Sequence, residues 1–377
     1  MRLALDASNI RGVGGGVTHL RELLRAAYPP EYGFSQIFVW GSAATLSELD
    51  DRPWLCKMHN PILDRALPLR AGWQLLQLDR LARQNKCNFL FAPGGVYAGN
   101  VRPFVAMSQN MLPFEWAEAR RYGVSMWTLK FLLLRYAQSA TFKRADGIIF
   151  LTEYARNKVC QLLAGAVPLT TIIPHGVAAE YRHPPRLTKS SARGAPYRLL
   201  YISTIAPYKH QWRVIQAAAQ LRQSGINVTL ELIGALGPAS HKFFDALNRF
   251  DPARAWVQYR GEVSSHDELY HSLQAADVFV FASSCETISI TLLEAMASGL
   301  PIACSNRGPM PEVLGEAGVY FDPEQPAQVA AAIRQLLDDP ALREQKAWLA
   351  YERAKAFTWE RCAQETFSFL AQVAAGG

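Results

Sequence analysis

DVFVFASSCETISITLLEAMASGLP, residues 277–301, is the stretch on which the fold turns. Val278–Ala282 is apolar without a break. A strand with one wet face alternates polar and apolar residues, so an unbroken run marks a strand buried on both faces, as in a parallel sheet. A polar loop, Ser283–Ser289, leads into the helix-period segment Ile290–Ala297, which Gly299 and Pro301 close. A second apolar strand, Ile302–Ser305, follows. Strand, loop, helix, strand is the unit of a sheet covered by helices on both sides.

The same alternation runs outward in both directions. Upstream, strands are predicted at Arg198–Ser203, Val228–Ile233 and Val257–Tyr259, with helices at Gln211–Gln223, Phe243–Asn248 and Asp267–Ala275. Downstream come strand Val319–Phe321, helix Ala327–Leu337 and a helix-favouring tail from Ala341, interrupted near Phe357–Trp359. The first half repeats the theme. Its strands are Arg2–Ala7, Gln36–Trp40, Asn88–Ala92, Phe104–Ser108, Gly147–Leu151 and Thr171–Ile173; its helices are Val17–Ala27, Gly72–Gln84, Met126–Phe142 and Glu153–Ala164. Between the halves, HPPRLTKSSARGAP (183–196) has no apolar period and reads as a linker. The expected domains are 1–183, a linker at 184–196, 197–356, and a C-terminal helix at 357–377 that packs back on the first domain. The fold class is α/β, with two doubly wound Rossmann-like domains facing a cleft.

At 377 residues the chain exceeds one ordinary core, in agreement with two domains. No apolar run approaches the ~20 residues of a membrane span, and the N-terminus has no signal-peptide h-region. The six cysteines are scattered, with no zinc spacing, which suits a reducing cytoplasm. The net charge of +7 is concentrated in Arg120–Arg144, where Arg120, Arg121, Lys130, Arg135, Lys143 and Arg144 meet no acid before Asp146. Trp127, Phe131, Leu132, Leu133 and Tyr136 are interleaved with these bases. Two readings stand: an amphipathic helix with a solvated basic rim, or a helix that meets anionic headgroups or a phosphate-bearing acceptor. Nothing resembles a nucleic-acid-binding motif.

Chemistry is expected where strands end. Glu286 lies in the loop after strand Val278–Ala282, and Glu294 lies in the helix that follows. The backbone amides of Thr287, Ile288, Ser289, Ile290 and Thr291 form that helix's unpaired N-terminus, a site for an anion. Glu286 and Glu294, with the run Glu294–Pro301, resemble the E-x7-E signature of retaining GT-B glycosyltransferases of the group 1 family, also called glycosyltransferase family 4. The resemblance continues through Ser305–Val313 and weakly over nearly the whole chain. It implies that Glu286 binds hydroxyls of a donor sugar near the reacting carbon and that Glu294 holds the nucleotide ribose.

The same resemblance reaches three further segments. Ser203–His210 looks like the family's diphosphate-binding turn, with Lys209 offsetting charge on the leaving diphosphate. The pattern departs at Ser203 and Tyr208, so one of two expected cations is missing; Arg307 is a candidate substitute. Arg260–Val263 resembles the loop beside the nucleobase, contacted by the main chain of Glu262 and Val263. Ser108–Met111 stands where many relatives carry His-Asp; Asn110 and His19 remain as candidate sugar or acceptor contacts, beside an equally open structural role. His175-Gly176 resembles the segment leading to the hinge.

After the first strand, Gly12–His19 sets glycines before a helix, and Gly14, Gly15 and Gly16 are expected to bring amides to the donor as the cleft closes. A nicotinamide or flavin site fits less well: Val17 stands where a third glycine is needed, and no acid follows the second strand. No D-x-D is present, so neither a metal nor a cofactor is expected. The expectation is a metal-independent, retaining hexosyltransferase that moves a sugar from a nucleotide-sugar to a glycan or lipid-linked glycan, of the bacterial polysaccharide, lipopolysaccharide or O-antigen kind. It would be cytoplasmic, with candidate contact to an anionic membrane face. GDP-mannose is one candidate donor; base, sugar, acceptor and linkage stay open. The alternatives are a silent nucleotide-sugar-binding subunit and a nucleotide-dependent oxidoreductase or epimerase.

Overall fold

The structure, a computed structural model, describes residues 1–11, 14–163, 168–186, 195–263 and 265–376. The chain divides into two compact units. One comprises 1–114, 126–176 and 358–377; the other comprises 115–125 and 177–357.

The first unit holds strands β1 (Arg2–Asp6), β2 (Gln36–Gly41), β3 (Leu55–His59), β4 (Phe89–Ala92), β5 (Phe104–Ser108), β6 (Gly147–Phe150) and β7 (Leu169–Ile172). They form one sheet in the order β3-β2-β1-β4-β5-β6-β7, and every pairing is parallel. The second unit holds β8 (Tyr197–Ile202), β9 (Val228–Ile233), β10 (Val257–Tyr259), β11 (Val278–Phe281), β12 (Ile302–Ser305) and β13 (Gly318–Phe321). Their order is β10-β9-β8-β11-β12-β13, again all parallel. All four residues of β4 and of β11 are fully buried, as an unbroken apolar run requires.

In both sheets the order reverses beside the first strand, between β1 and β4 and between β8 and β11. Loops from these neighbours leave to opposite faces, which opens a crevice at their carboxyl ends. In the second unit those loops are Ser203–His210 and Ala282–Ser289, the two that carry Lys209 and Glu286.

Several elements depart from the sequence reading. Strand β3 was not expected. It is an edge strand, LCKMH, half-buried over Leu55–Met58 and exposed at His59, and its Lys57 and His59 break the apolar signal. The helix drawn from Gly72 begins at Leu67 with Pro68 in its first turn, and one π-helical turn, Gln74–Leu78, interrupts it before Asp79–Gln84. Helix Gly15–Ala26 starts two residues before Val17, because the Val17 and Thr18 amides bond to the Gly14 carbonyl. Residues 187–194 of the expected linker, and Gly12 and Val13 of the glycine loop, lie outside the described residues.

Helix Trp359–Gly376 belongs to the first unit, against helix Gly15–Ala26 and β5. The approach is close. A Cβ on Gly147 would stand 2.9 Å from Val373 Cγ2, and one on Gly176 would overlap the Trp359 main chain. Segment Glu115–Ser125, between β5 and helix Met126–Arg144, belongs to the second unit.

Helix Met126–Arg144 buries only Phe131, Gln138, Thr141 and Phe142. Gln138 and Thr141 turn inward, while Met126, Leu133 and Tyr136 are 77%, 63% and 78% exposed. An amphipathic helix packed on its own domain would show the reverse.

Candidate active site

Strand β8 ends at Ile202, and the turn Ser203–His210 brings the chain back to helix Gln211–Gln223. The Tyr201 hydroxyl donates to the Lys209 carbonyl at 2.7 Å, which fixes the turn against the sheet. The Lys209 ammonium hydrogen-bonds to Glu286 Oε1 in an ion pair whose side chains are only 10% and 13% exposed. It also lies 5.2 Å from the Tyr208 ring centre and 5.5 Å from that of Phe281. Tyr208, where a second cation was expected, thus offers a π-face to the lysine. The Ser284 amide donates to the Tyr208 carbonyl at 2.8 Å, so the two loops are stitched by main chain as well.

Helix Ile290–Ala297 begins three residues later than the expected anion site. Ser289 is its N-cap, accepting from the Leu292 amide at 3.3 Å, and Leu293 bonds to the Ser289 carbonyl. Thr287 and Ile288 therefore belong to the preceding loop, both buried, and the helix itself presents the Ile290 and Thr291 amides.

Glu294 takes no part in that ion pair. Its carboxyl has no hydrogen-bond partner among the described residues, and burial, aided by the Glu180 charge, pushes its pKa up to about 8. It is therefore mostly protonated near neutral pH, able to donate as well as accept. The structure brings Lys209 and Glu286 together and leaves Glu294 on the helix beside Ala179–Tyr181.

The remaining residues vary in fit. Glu262 is exposed and Val263 half-buried, after Gly261, which has φ +72° and accepts from the Gly234 amide at 2.7 Å. Arg307 pairs with Asp322 at 3.0 Å and is half-exposed, away from the role of substitute cation. In the first unit, Gly15 and Gly16 open helix Gly15–Ala26 and Gly14 caps it, so their amides form its N-terminus. Asn110 spends its side-chain oxygen on the Leu112 amide at 3.0 Å, a local turn. His19 is fully buried, 4.6 Å from His175 and 6.0 Å from Trp359 between ring centres, with both ring nitrogens unbonded. Burial holds its pKa down to about 3 and keeps His175 well below the usual histidine range. Both are core side chains of the first unit.

A family model described as glycosyl transferases group 1 matches residues 187–353. That segment, less than half of the chain, is similar to the group 1 glycosyl transferases. The O-antigen chain mannosyltransferase B of Escherichia coli is 29% identical over 249 residues, covering 62% of this chain and 64% of that protein, less than two thirds of its length. Among solved structures, the sucrose-phosphate synthase of Thermosynechococcus elongatus superposes over 100% of both chains with a TM-score of 0.75 at 18% identity. An Anabaena protein crystallised with UDP-glucose superposes over 100% of this chain and 99% of its own with a TM-score of 0.71, also at 18% identity. These likenesses establish the GT-B fold, two Rossmann-like domains in one chain.

Within the group 1 domain, two glycines escaped the sequence reading. Gly234, at φ +146°, ends β9, and a Cβ there would overlap the Ser203 carbonyl; a Cβ on Gly237 would meet the Ile205 carbonyl. They let the β9 loop press on the turn that leads to Lys209. An isolated Gly-x-x-Gly after an apolar strand was their only signal. A cavity of about 840 Å³ in the same domain lies at the amino ends of β8 and β9, lined by Arg198, Thr229, Trp256 and Gln258, at the opposite end of the sheet from Lys209. Among the described residues no cluster of three or more His, Cys, Asp or Glu has the arrangement to hold a metal ion.

Proposed function

We propose that this chain is a glycosyltransferase that moves a hexose from a nucleotide-sugar to a glycan or lipid-linked glycan, with retention and without a metal. The carrying observation is the Lys209–Glu286 pair at the switch point of a group 1 domain. Without a donor the two groups neutralise each other. A donor's diphosphate competes for Lys209 as its sugar hydroxyls compete for Glu286, so one ligand satisfies both halves of the couple at once. The Ile290 and Thr291 amides then face the diphosphate, and Glu294 meets the ribose in its protonated form. Main chain at Glu262 and Val263 borders the base.

In the reaction the bond from the anomeric carbon to the diphosphate oxygen breaks, its electron pair leaving with the diphosphate. The acceptor oxygen bonds to that carbon on the same face, and its proton passes to the leaving phosphate oxygen. Lys209 stabilises the charge that builds there. The name of the Escherichia coli relative supports mannose, hence GDP-mannose, as the donor to try first.

Helix Met126–Arg144 supports contact with an anionic membrane surface, where a lipid-linked acceptor would lie. It exposes Trp127, Leu129, Leu132, Leu133 and Tyr136 around Lys130 and Arg135, whereas no helix of the described residues is long and apolar enough to cross a membrane. Vesicles with anionic lipid should sediment the protein and neutral vesicles should not; a Leu133→Glu, Tyr136→Glu variant that still sediments argues against this face.

The activity is tested by thermal shift with GDP, UDP, dTDP and ADP, followed by turnover of the matching sugars in EDTA. One nucleoside diphosphate should stabilise the protein and its sugar should turn over, an activity that Glu286→Ala abolishes. No binding and no turnover, or turnover only after Mg²⁺ is added, refutes the reading.

A further inference from the structure

Ser284 is the node of a chain of polar contacts that extends beyond the Lys209–Glu286 pair. Its hydroxyl has three neighbours: Glu118 Oε2 at 2.6 Å, His210 Nε2 at 2.9 Å and the Tyr208 carbonyl at 3.2 Å. A hydroxyl carries one proton. Glu118 can only accept, and its contact is the shortest, so the Ser284 proton goes there. His210 must then be the neutral tautomer with the proton on Nε2, donating to the Ser284 oxygen. Burial, which holds the His210 pKa down to about 4, agrees with that assignment. The chain has a direction, from His210 through Ser284 to Glu118.

Arg121 anchors the far end. Its guanidinium donates to Glu118 at 2.7 and 3.2 Å and to Glu324 at 3.0 and 2.6 Å, a two-pronged contact with each carboxylate. Charge-assisted, forked contacts of this kind are the strongest and most directional available. Arg121 is thus no part of a solvated basic rim. It holds segment Glu115–Ser125 onto the group 1 domain, beside loops more than 80 residues distant in sequence.

A second observation is independent of these bonds. His210 has φ +53°, the left-handed region, which is unfavourable for a residue with a β-carbon. A conformation of that kind persists only where the surroundings enforce it. The bond from His210 to Ser284 is one of the contacts that hold this residue, and Lys209 is the next residue back along the turn.

We propose that Glu118 and Arg121, acting through Ser284 and His210, are positioning residues that set the separation of Lys209 from Glu286. The inference rests on the donor-site reading above. Lys209 adjoins His210, and Glu286 follows Ser284 by two positions, so each member of the couple hangs from one end of the His210–Ser284 bond.

The test uses the full chain, with GDP and UDP as binding probes and GDP-mannose and UDP-glucose as turnover probes. In Glu118→Gln and Ser284→Ala, kcat should fall about tenfold to a hundredfold, since displacements near 1 Å cost that much. Affinity for the nucleoside diphosphate should stay within about threefold of the parent, a split that general destabilisation would not produce. Together the two substitutions should cost little more than either alone, because they interrupt one chain. Arg121→Lys, which keeps the charge and loses the fork, serves where Glu118→Gln fails to fold, and kcat should fall there too. A parent that turns over donor, beside a Glu118→Gln or Arg121→Lys variant within twofold of it, overturns this inference alone. A parent that binds and turns over none of the probes overturns the donor-site reading, and this inference with it.

Discussion

Breaking the Lys209–Glu286 pair from one side should do more damage than removing it altogether. Both side chains are close to nine-tenths buried. Deleting one partner of a buried pair costs about 3–5 kcal/mol, because the other charge is left buried and uncompensated. Their residual exposure places Lys209→Met near the lower end, about 3 kcal/mol. In a domain of about 150–250 residues each kcal/mol moves Tm by about 2–4 °C, so a fall of about 6–12 °C is expected. Glu286→Gln should cost somewhat less, since the amide oxygen still accepts from the lysine. The double variant Lys209→Met, Glu286→Gln buries no unpaired charge and should return to within about 1 kcal/mol of the parent. The coupling energy of the cycle, the summed singles less the double, is then about 4–5 kcal/mol. Urea unfolding of the four proteins measures it, and donor turnover measured in parallel should be lost in all three variants. A Lys209→Met protein within about 0.5 kcal/mol of the parent, or a double variant as unstable as the summed singles, would refute the reasoning.

Other outcomes follow from the titrating and backbone groups. Glu294 keeps in the folded state a proton that the unfolded chain releases, so its contribution to stability declines as pH rises from about 4.5 to about 8. Glu294→Gln should flatten that decline in urea midpoints taken at pH 5 and pH 8; an unchanged slope counts against the burial of this group. His19 and His175 have the opposite sign. The unfolded chain gains protons below about pH 6.5 that the folded first unit refuses, so stability falls on acidification towards pH 3. His19→Leu should lose less stability than the parent between pH 6.5 and pH 4.5, and an equal loss would show that the imidazole opens to water. Gly234→Ala should cost more than about 2 kcal/mol by unfolding, against about 1 kcal/mol for Gly225→Ala, whose positive φ faces open space. Equal costs would mean that the β9 loop does not press on the Ser203 turn.

Much of the fold was legible because parallel strands buried on both faces leave unbroken apolar runs. β9, β10, β12 and helices Gln211–Gln223 and Ile290–Ala297 lie where the sequence predicts them. β3 was lost because an edge strand with one wet side carries Lys57 and His59. Glu286 and Lys209 were legible one at a time, each from its place after a strand, but their union was not. The pairing depends on β8 and β11 being neighbours, which is a property of strand order. Segment Glu115–Ser125 was the least legible. Arg121 reads as one more base in a basic run, and its two carboxylate partners lie 3 and 203 residues away. Composition reports charge but not which charges are spent. His19 failed for a related reason: a histidine after a glycine loop looks available, yet the closing helix Trp359–Gly376 seals it.

That closing helix also has a bearing on biosynthesis. A ribosome releases the strands of the first sheet early, but the element that covers their His19 and Gly147 face is made only after the second sheet. The second sheet is complete before then, so the lobe that starts first finishes second, the reverse of the usual order for multidomain chains. During that interval the surface of β5 and helix Gly15–Ala26 lacks the helix that covers it in the folded unit.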